Sequence, residues 1–122
     1  MPELTTSAPR TLIISNNMVE ADDLTEMLTG LGLGPVLHAR DVMDATGIVA
    51  RSGQSLRLMM CGLSLHLHGV AEFRASVDRS SLSLVVIAGP AEFSQGDGAG
   101  LLFRPFSTRD VMAALARLGL PD

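Results

Sequence analysis

The sequence has no lysine, tryptophan or tyrosine, and it contains four phenylalanines and one cysteine among its 122 residues. Because a single cysteine cannot form an internal disulfide, a disulfide-stabilised fold is excluded and a reducing compartment is indicated. With so few aromatic side chains, the core must be built from aliphatic residues and methionine. This composition favours a layered α/β fold.

Positive charge and long apolar runs are also scarce. All nine basic residues are arginines, and thirteen acidic residues leave a net charge of −4. Such a chain has no long-range attraction for phosphate backbones, so we expect no nucleic-acid partner. No apolar run approaches the roughly 18 residues of a membrane span, and residues 1–10 lack the apolar core of a secretion signal. We therefore expect a cytoplasmic protein without membrane contact.

The chain divides into a short leader and one domain. Residues 1–10 are polar and contain two prolines, which predicts a flexible leader before a single domain spanning 11–120. In that domain five apolar segments alternate with helical patterns, at 11–15, 35–39, 56–63, 82–88 and 101–103. This alternation predicts βαβ units and a doubly wound parallel sheet. Glycines and a proline accumulate between 88 and 101, so the fourth helix is predicted to be shortened or missing.

Polar residues at fixed spacing predict where two helices begin. Asn17 with Glu20 predicts a capping pair for the first helix, and Ser107 with Asp110 predicts one for the last helix. Four acidic residues are predicted to form a solvated face of the first helix, with selection of a partner as the alternative: Glu20, Asp22, Asp23 and Glu26.

Three segments carry a resemblance to a known family. They are Thr11 to Asn17 at the first strand, Met60-Cys61-Gly62-Leu63-Ser64-Leu65 at the third, and Phe103-Arg104-Pro105-Phe106 before the last helix. Together they resemble the response-regulator receiver (CheY-like) domains of two-component signalling, from about residue 11 to residue 120. The resemblance implies a five-stranded, flavodoxin-like sheet in the order 2-1-3-4-5. It also implies a cis peptide bond at Arg104-Pro105.

Receiver chemistry requires an acidic pair that holds Mg²⁺, an aspartate that accepts the phosphoryl group, a hydroxyl and a lysine. The resemblance places these functions, in that order, at the following residues of this sequence: Ser15 and Asn16, Gly62, Ala88, and Arg104. None of these residues is the type that the chemistry requires. A shift of one position would place the acceptor at Cys61, which is not an aspartate either. The resemblance therefore implies a degenerate pseudo-receiver with a vestigial phosphoacceptor pocket.

The sequence also contains residues that suit two other kinds of site. Cysteine and histidine side chains are common zinc ligands. The candidates here are Cys61, His66 and His68, with His38 at a neighbouring strand end. Their spacing matches no closed metal site, so we expect neither a metal nor another cofactor. A small anion against Arg104 would make the chain a ligand sensor that uses the vestigial pocket, and this is the alternative function.

We predict that the chain is not an enzyme and that it acts by protein–protein contact, independently of phosphorylation. The expected partners are a histidine kinase, a response regulator or another signalling protein, with a homodimer as a further possibility. Thin cover over the fifth strand predicts an interaction face made of Phe93, Leu101, Phe103, Val111 and Leu115. Phe93→Asp is expected to weaken association more than Glu20→Lys does.

Overall fold

A five-stranded parallel sheet forms the centre of the molecule. The structure is a computed structural model, and it describes residues 8–63, 69–78, 82–88 and 100–120. The strands are β1 (Thr11–Ile14), β2 (Val36–Ala39), β3 (Leu58–Cys61), β4 (Ser83–Ala88) and β5 (Gly100–Phe103). Their order in the sheet is β2-β1-β3-β4-β5, and every neighbouring pair is parallel. This order confirms the predicted doubly wound topology.

Four helices are present in the described ranges. They are α1 (Met18–Gly30), α2 (Val42–Ser52), α3 (Val70–Asp78) and α4 (Thr108–Arg117). The crossover between β4 and β5, where a shortened or missing helix is predicted, lies outside the described residues at 89–99, and Phe93 lies there too.

The strands bury side chains on both faces of the sheet. On one face, Ile13 and Met60 belong to a core cluster that α1 and α4 complete. On the other face, Leu12 and Met59 belong to a second cluster that α2 and α3 complete. Successive strand residues point to opposite faces, which is why the strands are continuously apolar rather than alternating. Each large aliphatic side chain buried in this way stabilises the fold by roughly 1.5–3 kcal/mol.

Helix α4 begins as predicted but buries part of the predicted interaction face. The Asp110 amide donates to Ser107 Oγ at 3.2 Å and the Ser107 amide donates to Asp110 Oδ2 at 2.9 Å, which confirms the capping box. Val111 and Leu115 are 0% and 1% exposed and pack in the core cluster that α4 shares with α1. Residues four apart lie on one face of a helix, and here that face meets the sheet. The prediction that Val111 and Leu115 belong to the interaction face is therefore wrong.

Hydrogen bonds to the sheet start just before β1. The Arg10 amide donates to the Pro35 carbonyl at 3.0 Å, and the Ser55 hydroxyl donates to the Pro9 carbonyl at 2.6 Å. Residues 1–7 of the predicted leader lie outside the described residues. In the described part of the chain, no helix is long and apolar enough to cross a membrane.

Candidate functional site

Three of the predicted pocket residues meet at the carboxyl edge of the sheet, where open α/β folds bind their ligands. Ser15 follows β1, Gly62 follows β3 and Arg104 follows β5. Asn16 lies beside them and is exposed. The backbone of Ala88 ends β4, but its side chain lies outside the described part of the structure.

Arg104 reaches across the edge of the sheet to α1 and β3. Its Nε donates to Glu20 Oε1 at 2.6 Å, and its Nη2 donates to Glu20 Oε2 at 3.1 Å. The same Nη2 also donates to the carbonyl of Gly62 at 2.9 Å. The peptide bond from Arg104 to Pro105 is cis, as the resemblance implies. The guanidinium therefore holds a carboxylate in a two-point ion pair, the geometry in which arginine binds carboxylates most specifically.

Glu20 is the site residue that the sequence analysis missed. Its side chain is 8% exposed, so its assignment to a solvated acidic face is wrong. The predicted capping pair is also only half formed. Asn17 Oδ1 accepts from the amides of Val19 and Glu20, whereas the Asn17 amide donates to Ser15 Oγ at 3.1 Å. The Glu20 carboxylate instead accepts from Ser15 Oγ at 2.9 Å and from Arg104.

The spacing along α1 explains why Glu20 turns inward. It precedes the buried Leu24 by four residues, and Leu24 precedes the buried Leu28 by four. Residues four apart share one helical face, so Glu20 continues the buried stripe into the carboxyl edge of the sheet. The other three acidic residues of the cluster are exposed: Asp22, Asp23 and Glu26.

Gly62 gives the ion pair its space. A Cβ atom at this position would lie 2.8 Å from Glu20 Oε2 and 2.9 Å from Arg104 Nη2. Its amide donates to the carbonyl of Ile14 at 2.7 Å, which fixes this stretch of backbone against β1. Any side chain at position 62 must therefore displace a charged group that is already hydrogen-bonded.

The neighbouring thiol faces away from this site. Cys61 is 1% exposed and packs in the core cluster under α2 and α3. Burial raises the pKa of its thiol, with smaller opposing effects from a backbone hydrogen bond and from Arg74 and Arg104. A buried thiol that stays protonated behaves as a small apolar side chain.

Among the histidines considered as metal ligands, His38 is the one that lies in the described residues. His38 Nε2 lies 2.7 Å from the carbonyl oxygen of Ser15 and forms a hydrogen bond with it. His66 and His68 lie outside the described residues. In the ranges that the structure describes, no three potential ligands are close enough to hold a metal ion.

An open groove of about 500 Å³ lies beside the ion pair. Val19 and Met27 of α1 line one side, and Pro105 and Phe106 line the other. Glu20 and Arg104 line it as well, and 35% of the Arg104 side chain is exposed. The place at Arg104 to which the alternative function assigns a small anion is therefore taken by a carboxylate of the chain itself.

Comparison with known proteins places this fold. No family model matches the sequence, and no curated protein matches it. Among solved structures, the response regulator PhyR from Brucella abortus has a TM-score of 0.73 at 20% identity. The match covers 91% of this chain and 47% of PhyR, so the chain spans about half the length of that protein.

Two shorter structures match over most of their length. The signal receiver domain of an HD domain-containing protein from Pseudomonas fluorescens has a TM-score of 0.71 at 19% identity, covering 93% of this chain and 88% of that one. SdrG from Sphingomonas melonis has a TM-score of 0.69 at 25% identity, covering 94% of this chain and 100% of SdrG. With the strand order β2-β1-β3-β4-β5, these matches give the chain the CheY-like fold of response-regulator receiver domains.

Proposed function

We propose that the chain is a phosphorylation-independent pseudo-receiver, a protein–protein interaction module of bacterial two-component-type signalling. The observation that carries this proposal is the ion pair between Glu20 and Arg104 beside Gly62. It takes up the space and the positive charge that a receiver reserves for its phosphoryl group.

Each step of receiver chemistry lacks a suitable group at this site. Glycine offers no carboxylate for attack on a phosphoryl donor. Ser15 is 1% exposed and its hydroxyl donates to Glu20, and Asn16 is neutral, so neither supplies the charge that Mg²⁺ prefers. Arg104 binds an internal carboxylate. These contacts support a role that does not depend on phosphorylation.

Chemical inertness is the first prediction. Incubation with acetyl phosphate and Mg²⁺, or with beryllofluoride and Mg²⁺, is expected to leave the intact mass and the thermal midpoint of the protein unchanged. The physical reason is that an acceptor carboxylate is missing at Gly62 and that Arg104 is already paired. Mass spectrometry and differential scanning fluorimetry measure the outcome. A working receiver in the same mixture is the positive control, and an adduct labile to hydroxylamine on this chain contradicts the proposal.

A protein partner is proposed at the β5 edge and the outer side of α4. Strand β5 pairs only with β4 in the described sheet, so one side of its backbone is an edge. Phe103 at the end of β5 is 44% exposed, and Met112 on α4 is 50% exposed. Leu101 is proposed as part of this surface because it lies in β5, although its side chain lies outside the described part of the structure. A kinase, a response regulator, another signalling protein or a second copy would contact this surface.

Association is therefore expected to depend on the outer residues. Phe103→Asp and Met112→Asp, with Phe93→Asp in the adjoining segment, should each weaken binding or dimerisation, because a charge would replace apolar contact area. Met43→Asp is the matched control, since Met43 is 85% exposed on α2. Co-purification and light scattering measure association, and circular dichroism monitors folding.

The surface assignment is wrong if Met43→Asp abolishes the complex and the other substitutions leave it intact. Glu20→Lys is not a suitable comparison, because it would break the contact with Arg104 inside the fold.

A further inference from the structure

The Glu20 carboxylate occupies two donors of the Arg104 guanidinium. We propose that Glu20 is an internal ligand that keeps a small-oxyanion site closed, and that the site it closes consists of the Arg104 guanidinium and the Ser15 hydroxyl. The ligand class is a compact oxyanion, such as inorganic phosphate or sulfate. The inference rests on the proposed function, because it requires that Arg104 does not serve a phosphoaspartate.

The donor arrangement is that of an oxyanion site. Arg104 Nε and Nη2 donate to the two oxygens of Glu20 at 2.6 and 3.1 Å, and Ser15 Oγ adds a third hydrogen bond at 2.9 Å. Guanidinium groups bind carboxylates and phosphates through the same planar pair of donors. A phosphate or sulfate that replaced the Glu20 carboxylate would therefore find the same donors.

Solvent has access to the pair on one side. The Arg104 side chain is 35% exposed, whereas that of Glu20 is 8% exposed, and both line the groove between α1 and Pro105. A free anion can therefore reach Arg104 without crossing the core. To bind there, it must displace the carboxylate that α1 holds against Arg104.

Attachment to α1 gives Glu20 the advantage over free anions. Asn17 caps the helix that carries Glu20, and the buried Leu24 anchors the next turn. A tethered ligand competes at an effective concentration of about millimolar or more. Free phosphate or sulfate must therefore exceed that effective concentration, or bind Arg104 more tightly than the carboxylate does, before it displaces Glu20.

Removal of the internal ligand tests this inference. Glu20→Ala and Glu20→Gln are titrated with inorganic phosphate and with sulfate against chloride at constant ionic strength, and the thermal midpoint and the NMR signals of Arg104 Nε–H and the Gly62 amide are recorded. The open form is the one in which Glu20 has left Arg104. If at most about one tenth of the natural protein is in this form, Glu20→Ala binds the oxyanions at least about tenfold more tightly than the natural protein does. The oxyanion affinity of Glu20→Gln is expected to lie between those of the natural protein and Glu20→Ala. The matched control is Glu26→Ala, which removes one exposed carboxylate from the same helix and leaves binding unchanged.

The double variant Glu20→Ala/Arg104→Gln should lose the gained binding. The inference is overturned if the natural protein and Glu20→Ala bind the anions equally, or if the gain survives in the double variant. If Glu20→Ala does not fold, Glu20→Gln decides, and the absence of a gain there overturns the inference. None of these results bears on phosphorylation. Failure of the proposed function appears separately, as a phosphoryl adduct on the natural protein.

Discussion

Val111→Asp is expected to destabilise the domain strongly. Val111 is 0% exposed and packs with Ile13, Leu58 and Val85 in the cluster between the sheet and α1 and α4. An aspartate there would place a carboxylate in an apolar core, where an unpaired charge is neutralised or forces the structure open. The expected loss in the free energy of unfolding is about 4 kcal/mol or more, against a total of about 5–15 kcal/mol for a domain of this kind.

Met112→Asp is the matched control for this prediction. Met112 is the next residue on α4 and is 50% exposed, so its substitution should change the free energy of unfolding by no more than about 0.5 kcal/mol. Urea denaturation followed by circular dichroism measures both variants. If Val111→Asp unfolds at the urea midpoint of the natural protein and only loses a partner, then α4 is oriented the other way round and Val111 belongs to an interface.

Most of the fold was predictable because its signals are local. The apolar segments at 11–15 and 82–88 contain strands β1 and β4, and parallel strands buried on both faces have this continuous apolar composition. Asp41 accepts from the Asp44 amide at 2.8 Å at the start of α2, and Ser107 begins α4 in the same way. Each of these features depends on residues within a few positions of one another.

The interaction face was harder to predict, because helical spacing identifies an apolar stripe but not what covers it. Val111 and Leu115 form such a stripe, and in the structure the covering element is the sheet itself. Phe103 differs because it ends an edge strand, where the sheet offers no further neighbour in the described residues. It is 44% exposed, and exposure of this kind follows from the strand order and not from local sequence.

The candidate site was only partly predictable, because its central contact is distant in sequence. Ser15, Gly62 and Arg104 could be placed from the resemblance to receivers. The partner of Arg104 could not, since Glu20 lies 84 residues away and acidic residues on helices are usually solvated. The one local signal was the four-residue spacing from Glu20 to the buried Leu24.

Restoring the acceptor, Gly62→Asp, is expected to destabilise the protein without restoring phosphorylation. The new Cβ would lie 2.8 Å from Glu20 Oε2, and a second carboxylate would be placed beside the first. Overpacking typically costs about 1–3 kcal/mol; the atoms met here are the ends of two flexible side chains, which lowers this cost, and the closeness of like charges adds to it.

The expected chemistry of this variant follows from the neighbouring residues. Ser15 donates its hydroxyl to Glu20, Asn16 is neutral, and the Glu20 carboxylate is already paired with Arg104, so it is not free to hold Mg²⁺ together with the new aspartate. Acetyl phosphate with Mg²⁺ should therefore leave the mass of Gly62→Asp unchanged, and its urea midpoint should fall. Gly30→Ala is the matched control for adding a side chain at a glycine, because a Cβ there meets nothing within 4 Å.

The double variant Gly62→Asp/Glu20→Ala separates crowding from chemistry. Removing the Glu20 carboxylate relieves the closer of the two contacts and the repulsion, and it leaves Arg104 free of Glu20 beside the new aspartate. The urea midpoint should therefore recover toward that of Glu20→Ala alone, whereas the mass after acetyl phosphate should still not change. A non-additive recovery of this kind measures the coupling between positions 20 and 62. If Gly62→Asp alone is as stable as the natural protein and accepts a phosphoryl group, then the ion pair yields readily, the pocket retains the rest of receiver chemistry, and this prediction is wrong.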